Sequence, residues 1–545
     1  MLMTLGVIIL VVLAGLWFFF GHNLFNWFGP YRDRFSNLES WDKTAPIVTR
    51  LGQIIGLQKD TEKGRVMAFL GIRYGQAPIG DKRFKPATAA GGWEGTLDAT
   101  RFPNAPIQPK ADNSTQEPNM PVQSEDCLFL SVYTPSTEGA NRPVLFWIHG
   151  GAFIYGTGNG YPGHVLAEQG DAVVVAINYR LGMLGFYDLS KFGDQYAGSA
   201  SNGIRDQILA LEWVRDNIAD YGGDPNNVTI FGQSAGGASV SSLVCAPAAD
   251  GLFHKAIVHS GMAVALPPHD YNPELQKALD LEQEKDIPAA LTTLSTEEIL
   301  KVQAKVGFFA GGNVDGTVIS RSLKDAIHEQ GKAGVPIIIG SNRDEGKLFS
   351  LIAPRIAFKA VIPPIASLTT LDHDTDGYLE RLKQDHPGDS LKQLHDRVWT
   401  EGFISSAVTA AEWAAQAGRN VWAYRFEEPV QVNPFGYKLG ACHAAELDFT
   451  FNNFARDDLG ENSLWYDKND PEIVQLGLAW SNTLIQFAKT GNPNGAGMPE
   501  WPQYTNSQQE CMIVEKNPHV KSSVDKFELE RWCEFREDGD ELLAS

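Results

Sequence analysis

The most constraining stretch of the chain is a β-branched run that breaks into Gly-x-Ser-x-Gly between Val228 and Gly236. A serine hydroxyl is well exposed for nucleophilic attack when it projects from a tight turn between a strand and a helix, and flanking glycines allow that turn without a Cβ clash. Small residues after Ser234 let a helix begin against the sheet, with its N-terminal amides facing the hydroxyl. Because such short patterns also arise by chance, the remaining sequence must distinguish a catalytic serine from a serine in a surface turn.

Buried strands separated by helical stretches surround this motif. The apolar runs lie at 143–148, 172–178, 228–231, 256–259, 335–339 and 421–426. This alternation predicts an α/β fold with a central, mostly parallel sheet and helices on both faces. Short strands with turns precede it, for example 65–74 and 127–133, and are expected to pair antiparallel. Long helical insertions follow, and the one at 273–306 contains the capping-box pattern Ser295-Thr-Glu-Glu298.

Groups suited to acyl transfer follow these strands at their carboxyl ends, where ligand crevices form in open α/β sheets. The small residues of 149–153 offer backbone N–H groups to an oxyanion. Asp344 and Glu345 follow the strand at 335–339, and His443 follows the strand at 421–426. Serine catalysis requires a base, a carboxylate that orients the base, and N–H donors. The order serine, acid, histidine is typical of α/β-hydrolases, and either adjacent carboxylate is a candidate for the acid.

The ordered blocks of the chain resemble those of the type-B carboxylesterases, the family that also contains cholinesterases and bacterial para-nitrobenzyl esterases. The resemblance runs from about Phe69 to Tyr504. Its blocks lie at 69–75, 124–128, 149–153, 178–182, 202–207, 222–225, 228–237, 344–346, 443 and 490–494. It implies an α/β-hydrolase fold and a serine carboxylesterase that hydrolyses small-molecule esters through an acyl-enzyme.

The resemblance also implies a role for each candidate site residue. Ser234 is the expected nucleophile, His443 the general base and acid, and Glu345 the orienting carboxylate. The expected oxyanion hole consists of the N–H groups of Gly151, Ala152 and Ala235. No metal and no organic cofactor are implied.

Three features of the chain depart from patterns found in this family. Family members often carry a cysteine near Ala105 that pairs with the one at Cys127, and its absence here implies that this disulfide is absent too. Cholinesterases have a carboxylate before the serine, where this chain has Gln233, and a tryptophan in the loop that ends at Cys127, which this chain lacks. Choline esters are therefore disfavoured as substrates, because no aromatic face is offered to a quaternary ammonium.

Two other functions fit the same resemblance. A triacylglycerol-type lipase is the alternative enzyme, but the loop at 103–126 is rich in polar residues and proline, whereas such lipases carry an apolar lid there. A non-enzymatic, cholinesterase-like binding protein is the alternative outside enzymes. Members of that group lack parts of the triad, and the complete set of residues here favours an enzyme.

Composition and two decoy motifs exclude further classes of function. The balance of 45 basic and 66 acidic residues, a net charge of -21, argues against a nucleic-acid partner. Five scattered cysteines without CxxC spacing predict no zinc site and are expected to be reduced and buried.

The Gly-x-Gly-x-x-Gly pattern at 158–163 contains Pro162, which argues against dinucleotide binding. The stretch 372–377 copies half of an EF-hand loop, but Lys383 replaces the twelfth-position glutamate, so an acidic helix start is favoured over calcium binding.

The N-terminus is apolar over 5–20, and the first charge of the chain is Arg32. We therefore expect residues 1–30 to form an uncleaved transmembrane anchor, inserted in a lipid bilayer through 5–28, with the catalytic domain at 31–545. A cleaved signal segment is the alternative. Basic residues follow the run and none precede it, which favours a cytoplasmic catalytic domain, whereas many relatives in the family are exported.

Overall fold

The computed structural model of the chain describes residues 38–539, except 110–121, 140, 262–267, 353–357, 372, 432–435 and 455–464. The expected membrane anchor at 1–30 and much of the polar loop at 103–126 lie outside the described residues. Within the described ranges, no helix is long and apolar enough to cross a bilayer.

The strands form one large and one small sheet. They are β1 (Asp42–Lys43), β2 (Ile47–Thr49), β3 (Gly52–Ile55), β4 (Leu57–Thr61), β5 (Gly64–Arg73), β6 (Thr96–Asp98), β7 (Phe129–Thr134), β8 (Arg142–Ile148), β9 (Val173–Ile177), β10 (Gly223–Gln233), β11 (Lys255–His259), β12 (Ile337–Asn342), β13 (Val421–Phe426), β14 (Glu510–Val514) and β15 (His519–Ser522). The large sheet has the order β1-β4-β5-β7-β9-β8-β10-β11-β12-β13-β14-β15, and β2, β3 and β6 form the small one.

Helices connect these strands and fill the insertions. They are α1 (His164–Gly170), α2 (Gly182–Phe186), α3 (Asn202–Asn217), α4 (Ala235–Cys245), α5 (Asn272–Ala278), α6 (Ile287–Thr293), α7 (Thr296–Val306), α8 (Leu323–Gln330), α9 (Gly346–Ile352), α10 (Phe358–Thr370), α11 (Thr375–Asp385), α12 (Leu391–Gln416), α13 (Leu447–Thr450), α14 (Pro471–Thr490) and α15 (Lys526–Glu534).

The seven central strands, from β9 to β14 in sheet order, run parallel to one another. Antiparallel strands flank them, with β1, β4, β5 and β7 on one side and β15 on the other. Every residue of β9 and β11 is buried. Strand β9 is apolar along its whole length, and so are the three central residues of β11, because helices cover a parallel sheet on both faces. The predicted α/β fold, its parallel centre and its N-terminal antiparallel strands are confirmed.

Two hydrophobic clusters lie on the two faces of the sheet. Along β8, Phe146 belongs to one cluster and its neighbour Trp147 to the other, as the alternation of side chains in a strand requires. Helix α3 packs into the first cluster through Leu211, and α14 packs into the second through Trp480. The loops at the carboxyl ends of β8, β10, β12 and β13 therefore meet at one edge of a sheet that is fixed from both sides.

Several local predictions can be compared with the structure. Ser295 and Glu298 form the predicted capping box at the start of α7. Asp374 caps α11 by accepting a hydrogen bond from the Gly377 amide at 2.9 Å, which is the predicted acidic helix start. The strand predicted at 335–339 begins two residues later, at Ile337, and β14 was not predicted. The five cysteines are all buried, as expected.

Candidate active site

The turn between β10 and α4 holds Ser234 in a backbone conformation that is rare for a residue with a side chain. Its φ is 59° and its ψ is -123°, and its amide donates to the His259 carbonyl oxygen at 2.9 Å. A Cβ at Gly236 would lie 2.0 Å from the Ile148 carbonyl oxygen, and one at Gly232 would lie 2.5 Å from the Gly236 oxygen. Glycine is therefore required on both sides of the serine because the backbones approach so closely.

The loop after β13 places His443 against the carboxylate of Glu345. Nδ1 of the imidazole is in hydrogen-bond contact with Glu345 Oε2, and the Asn342 amide donates to Glu345 Oε1 at 2.8 Å. Glu345 is fully buried. Because an ionised carboxylate only accepts hydrogen bonds, we assign the imidazole proton to Nδ1, which leaves a lone pair on Nε2.

The neighbouring carboxylate of Asp344 points elsewhere. Its Oδ2 accepts a hydrogen bond from the Ala441 amide at 3.0 Å, and its Oδ1 pairs with the Lys347 ammonium at 2.7 Å. Of the two candidate acids, only Glu345 contacts the histidine.

The side chain of Gln233 contacts the other ring nitrogen of His443. Its Nε2 lies 3.2 Å from His443 Nε2. Within the described residues, no side chain forms a hydrogen bond with the Ser234 hydroxyl. In structures without substrate, catalytic hydrogen bonds are often long and tighten only in the Michaelis complex.

The loop after β8 presents free amides next to the serine. Gly151 has a φ of 113°, and a Cβ there would lie 2.3 Å from the Tyr155 carbonyl oxygen. Ala152 also has a positive φ, of 54°. In the described part of the chain, no group accepts a hydrogen bond from either amide. Ala235 begins α4 immediately after Ser234, and the first amides of a helix have no acceptor within the helix.

The buried side chain of His149 contacts the backbone of the loop after β8. The His149 ring stacks on Tyr179 at 4.5 Å between centroids, and its Nδ1 lies 2.9 Å from the Gly150 carbonyl oxygen. Burial lowers the pKa of His149 to about 4, so the ring is neutral at physiological pH. The Tyr179 hydroxyl donates to the His149 carbonyl oxygen at 2.9 Å.

A second buried carboxyl lies behind the histidine and the acid. The Asn342 side-chain amide donates to Glu446 Oε2 at 2.5 Å and to the Cys442 carbonyl oxygen at 2.7 Å. Burial, and secondarily the charge of Glu345, raise the pKa of Glu446 to about 7. No spacing pattern in the sequence indicates a role for this carboxyl.

Three aromatic side chains, Phe349, Trp399 and Phe403, stand beside the imidazole, and we call them the aromatic wall. Phe349 and Phe403 contact the His443 ring, with centroid distances of 5.0 and 4.7 Å. Trp399 stacks on Phe349 at 4.1 Å. No motif in the sequence indicates this wall. Helical spacing is a partial signal, because Phe349 lies four residues after Glu345 and Phe403 lies four residues after Trp399.

The family model described as "Carboxylesterase family" matches residues 43–532. The chain belongs to the carboxylesterase family. In the ranges that the structure describes, no group of three or more histidine, cysteine, aspartate or glutamate side chains is placed to hold a metal ion.

Known carboxylesterases are similar to this one over nearly their whole length. The para-nitrobenzyl esterase of Bacillus subtilis (strain 168) is 34% identical over 509 residues, which cover 87% of this chain and 96% of the relative. The human protein named cocaine esterase is 32% identical, with 90% and 91% covered. The crystal structure of a Geobacillus stearothermophilus carboxylesterase superposes with a TM-score of 0.76 at 33% identity, over 90% of this chain and all of that one. The carboxylesterase described here is thus a carboxylic ester hydrolase with an α/β-hydrolase fold.

Proposed function

We propose that this carboxylesterase hydrolyses carboxylic esters through an acyl-enzyme on Ser234, with His443 as general base and acid and Glu345 as the orienting carboxylate. The observation that carries the proposal is the contact of the buried Glu345 carboxylate with His443 Nδ1, at the sheet edge where Ser234 lies on its strained turn. A carboxylate in this position holds the imidazole in the tautomer that has a free lone pair on Nε2.

The first half of the reaction forms the acyl-enzyme. His443 Nε2 takes the proton of the Ser234 hydroxyl, and the serine oxygen attacks the ester carbonyl carbon. The amides of Gly151, Ala152 and Ala235 donate to the oxyanion that forms. The imidazolium then gives its proton to the alcohol oxygen as the carbon–oxygen bond breaks, and Glu345 stabilises the charge of the imidazolium while it exists.

The second half of the reaction returns the enzyme to its starting state. A water molecule attacks the acyl carbon while His443 Nε2 removes one of its protons. The same amides hold the second oxyanion, and the serine oxygen leaves with the proton from His443. The Gln233 amide, which contacts Nε2 in the free structure, has to yield this nitrogen to the serine and then to the water.

Labelling with a fluorophosphonate tests the nucleophile, because this reagent phosphonylates an activated serine. We expect one adduct, on Ser234, and a loss of about 10⁴-fold or more in kcat for Ser234→Ala, since removing the nucleophile leaves only binding and oxyanion stabilisation. Intact mass and peptide mapping locate the adduct, and ester hydrolysis gives the rate.

The control is Ser190→Ala, at an exposed serine outside the site, which should keep both the adduct and the rate. An adduct on another residue, or a rate in Ser234→Ala close to that of the parent, would contradict the proposal.

We further propose that the apolar N-terminal segment anchors the enzyme in a bilayer. The absence of any charge before Arg32 supports this.

A further inference from the structure

The imidazole of His443 is held at both of its ring nitrogens. Glu345 contacts Nδ1, and the side-chain amide nitrogen of Gln233 lies 3.2 Å from Nε2. Because the proton on Nδ1 faces the carboxylate, Nε2 carries the lone pair, and we assign the amide N–H of Gln233 as its donor. Phe349 and Phe403 contact the same ring. The candidate base is therefore restrained on several sides, and the group at its reacting nitrogen is a neutral one.

Strand pairing fixes the backbone of Gln233. It is the last residue of β10, and it pairs with His259 of the neighbouring parallel strand β11. In the loop that follows β8, a Cβ at Gly150 would lie 2.5 Å from the Gln233 carbonyl oxygen. The Gln233 side chain is itself buried. A buried side chain on a fixed backbone has few alternative rotamers, so the amide is preorganised toward His443.

The charged groups packed around the imidazole lie in the loop after β12, in α9 and at the N-terminal end of α13, and they are Glu345, Asp344, Lys347 and Glu446. Asp344 and Lys347 pair with each other at 2.7 Å, so their charges largely cancel at the ring. From β10 and α12 the ring meets the neutral side chains of Gln233 and Phe403. The carboxylate of Glu345 is therefore the full charge in contact with the base.

A second carboxylate in place of the Gln233 amide would change how strongly this site holds a proton. A negative charge at hydrogen-bond distance from an imidazole favours the imidazolium, by about one to three pH units. A general base that already carries a proton cannot accept the serine proton, so the rate falls on the acid side. The neutral amide avoids this loss and still donates to the lone pair.

We propose that Gln233 is a positioning residue that holds the candidate base through a neutral hydrogen bond and so keeps the base free of a proton in mildly acidic solution. This inference rests on the proposed function, because it takes His443 as the general base. The amide contacts Nε2 between turnovers and gives way to the Ser234 hydroxyl when an ester binds. It follows that the enzyme works at a lower pH than a variant with a carboxylate at position 233.

Two substitutions separate the charge of residue 233 from its hydrogen bond, with kcat/KM for one ester measured between about pH 5 and pH 9 on the full-length enzyme. Gln233→Glu keeps the shape and adds a charge. We expect its acid limb to move up by about one pH unit or more, which lowers kcat/KM on the acid side by about tenfold or more, whereas the alkaline plateau should stay within about threefold of the parent value.

Gln233→Met keeps the length of the side chain and removes the hydrogen bond. Its acid limb should stay within about half a pH unit of the parent's, because no charge is added. Its plateau should fall by about threefold to tenfold, because one of the two hydrogen bonds that orient the imidazole is lost.

The matched control is Gln503→Glu, which adds the same charge at an exposed glutamine and should leave the profile unchanged. Its neighbour Tyr504 pairs with Val421 at the end of β13 opposite to the site. Because the pKa of Glu446 is about 7, both Gln233 variants are also measured with Glu446→Gln, where that carboxyl no longer titrates. The shift in Gln233→Glu should persist there.

An acid limb in Gln233→Glu that matches the parent's would overturn the proposal. A plateau in Gln233→Met equal to or above the parent's would also overturn it, since the amide would then only compete with the serine. If Gln233→Glu does not fold, the plateau of Gln233→Met decides, with thermal melting as the check on folding. The failure of the proposed function is recognisable separately, because Ser234→Ala would then still hydrolyse the ester.

Discussion

At the scale of single residues, the site depends on which of two adjacent carboxylates faces the histidine. Asp344 and Glu345 follow the same strand, and consecutive side chains cannot point in one direction. The Ala441 amide and the Lys347 ammonium hold Asp344, whereas Glu345 is buried against His443. The backbone amide of Asn342 supplies a second hydrogen bond to the Glu345 carboxylate.

The roles of these two residues can be ranked by paired substitutions. Glu345→Gln should lower kcat by about 10³-fold to 10⁴-fold, because a neutral amide no longer holds the productive tautomer or stabilises the imidazolium. Asp344→Asn should cost far less, since it only weakens contacts with Lys347 and Ala441. Steady-state kinetics on one ester give both values, and the reverse ranking would move the role of the acid to Asp344.

The buried carboxyl of Glu446 makes stability depend on pH. Its folded-state pKa of about 7 lies above the ordinary value of 4.5, so the folded chain holds a proton that the unfolded chain releases first. Stability contributed by this group is fully present below pH 4.5 and is lost as the pH rises to about 7 and beyond, by up to about 3 kcal/mol. Glu446→Gln mimics the protonated form and keeps the acceptor for Asn342.

We therefore expect Glu446→Gln to gain thermal stability relative to the parent as the pH is raised from 5 to 8. Melting temperatures of both proteins at several pH values measure this. Glu500→Gln, at an exposed glutamate, serves as the control and should show no such trend. A parent–variant difference that is the same at pH 5 and pH 8 would contradict the assigned environment of Glu446.

At the scale of elements, two helices connect the proposed triad to the aromatic wall. Helix α9 begins directly after Glu345 and carries Phe349 one turn later, and α12 carries both Trp399 and its partner His395. The helices touch at Gly346, where a Cβ would lie 1.9 Å from the Asp396 carbonyl oxygen. A movement of α12 would therefore displace the acid and the wall together.

Elements also differ in how far the sequence alone predicts them. The turn at Ser234 and the strand at 421–426 are encoded locally, by glycine spacing and by a continuous apolar run, and both were predicted correctly. Strand β14 is short and begins with a glutamate, so its apolar signal is weak. The aromatic wall depends on the packing of α9 against α12, which no local pattern specifies, although the i, i+4 spacing of its residues is a partial signal.

At the scale of the whole molecule, the site is built from residues far apart in the chain. The residues proposed as oxyanion amides, nucleophile, acid and base follow β8, β10, β12 and β13, and the parallel sheet brings the carboxyl ends of these strands to one edge. Sequence reasoning reached this arrangement because parallel strands constrain where loops end. Spacing alone does not show which of Glu345 and Asp344 is the acid, and the family resemblance is what favours Glu345.

The proposed N-terminal anchor predicts where the whole enzyme resides. The apolar run at 5–28 should place the full-length chain in the membrane pellet after ultracentrifugation, and a chain that begins at Tyr31 should move to the supernatant with its kcat/KM preserved.

Protease added to intact cells should leave the catalytic domain uncut, because positive charge after the run favours a cytoplasmic location. Equal distribution of the two chains would contradict the anchor, and cleavage would contradict the orientation.

All five cysteines are buried and no disulfide joins them, so noncovalent packing holds the described fold together. Burial raises the pKa of each thiol for which a shift is resolved, among them Cys127 and Cys511, so little thiolate is present in the folded state. An alkylating reagent or an oxidant can reach these sulfurs only when the surrounding structure opens. The rate of thiol modification therefore reports how often the surrounding structure opens. Reducing agents remove no cross-link from the native enzyme.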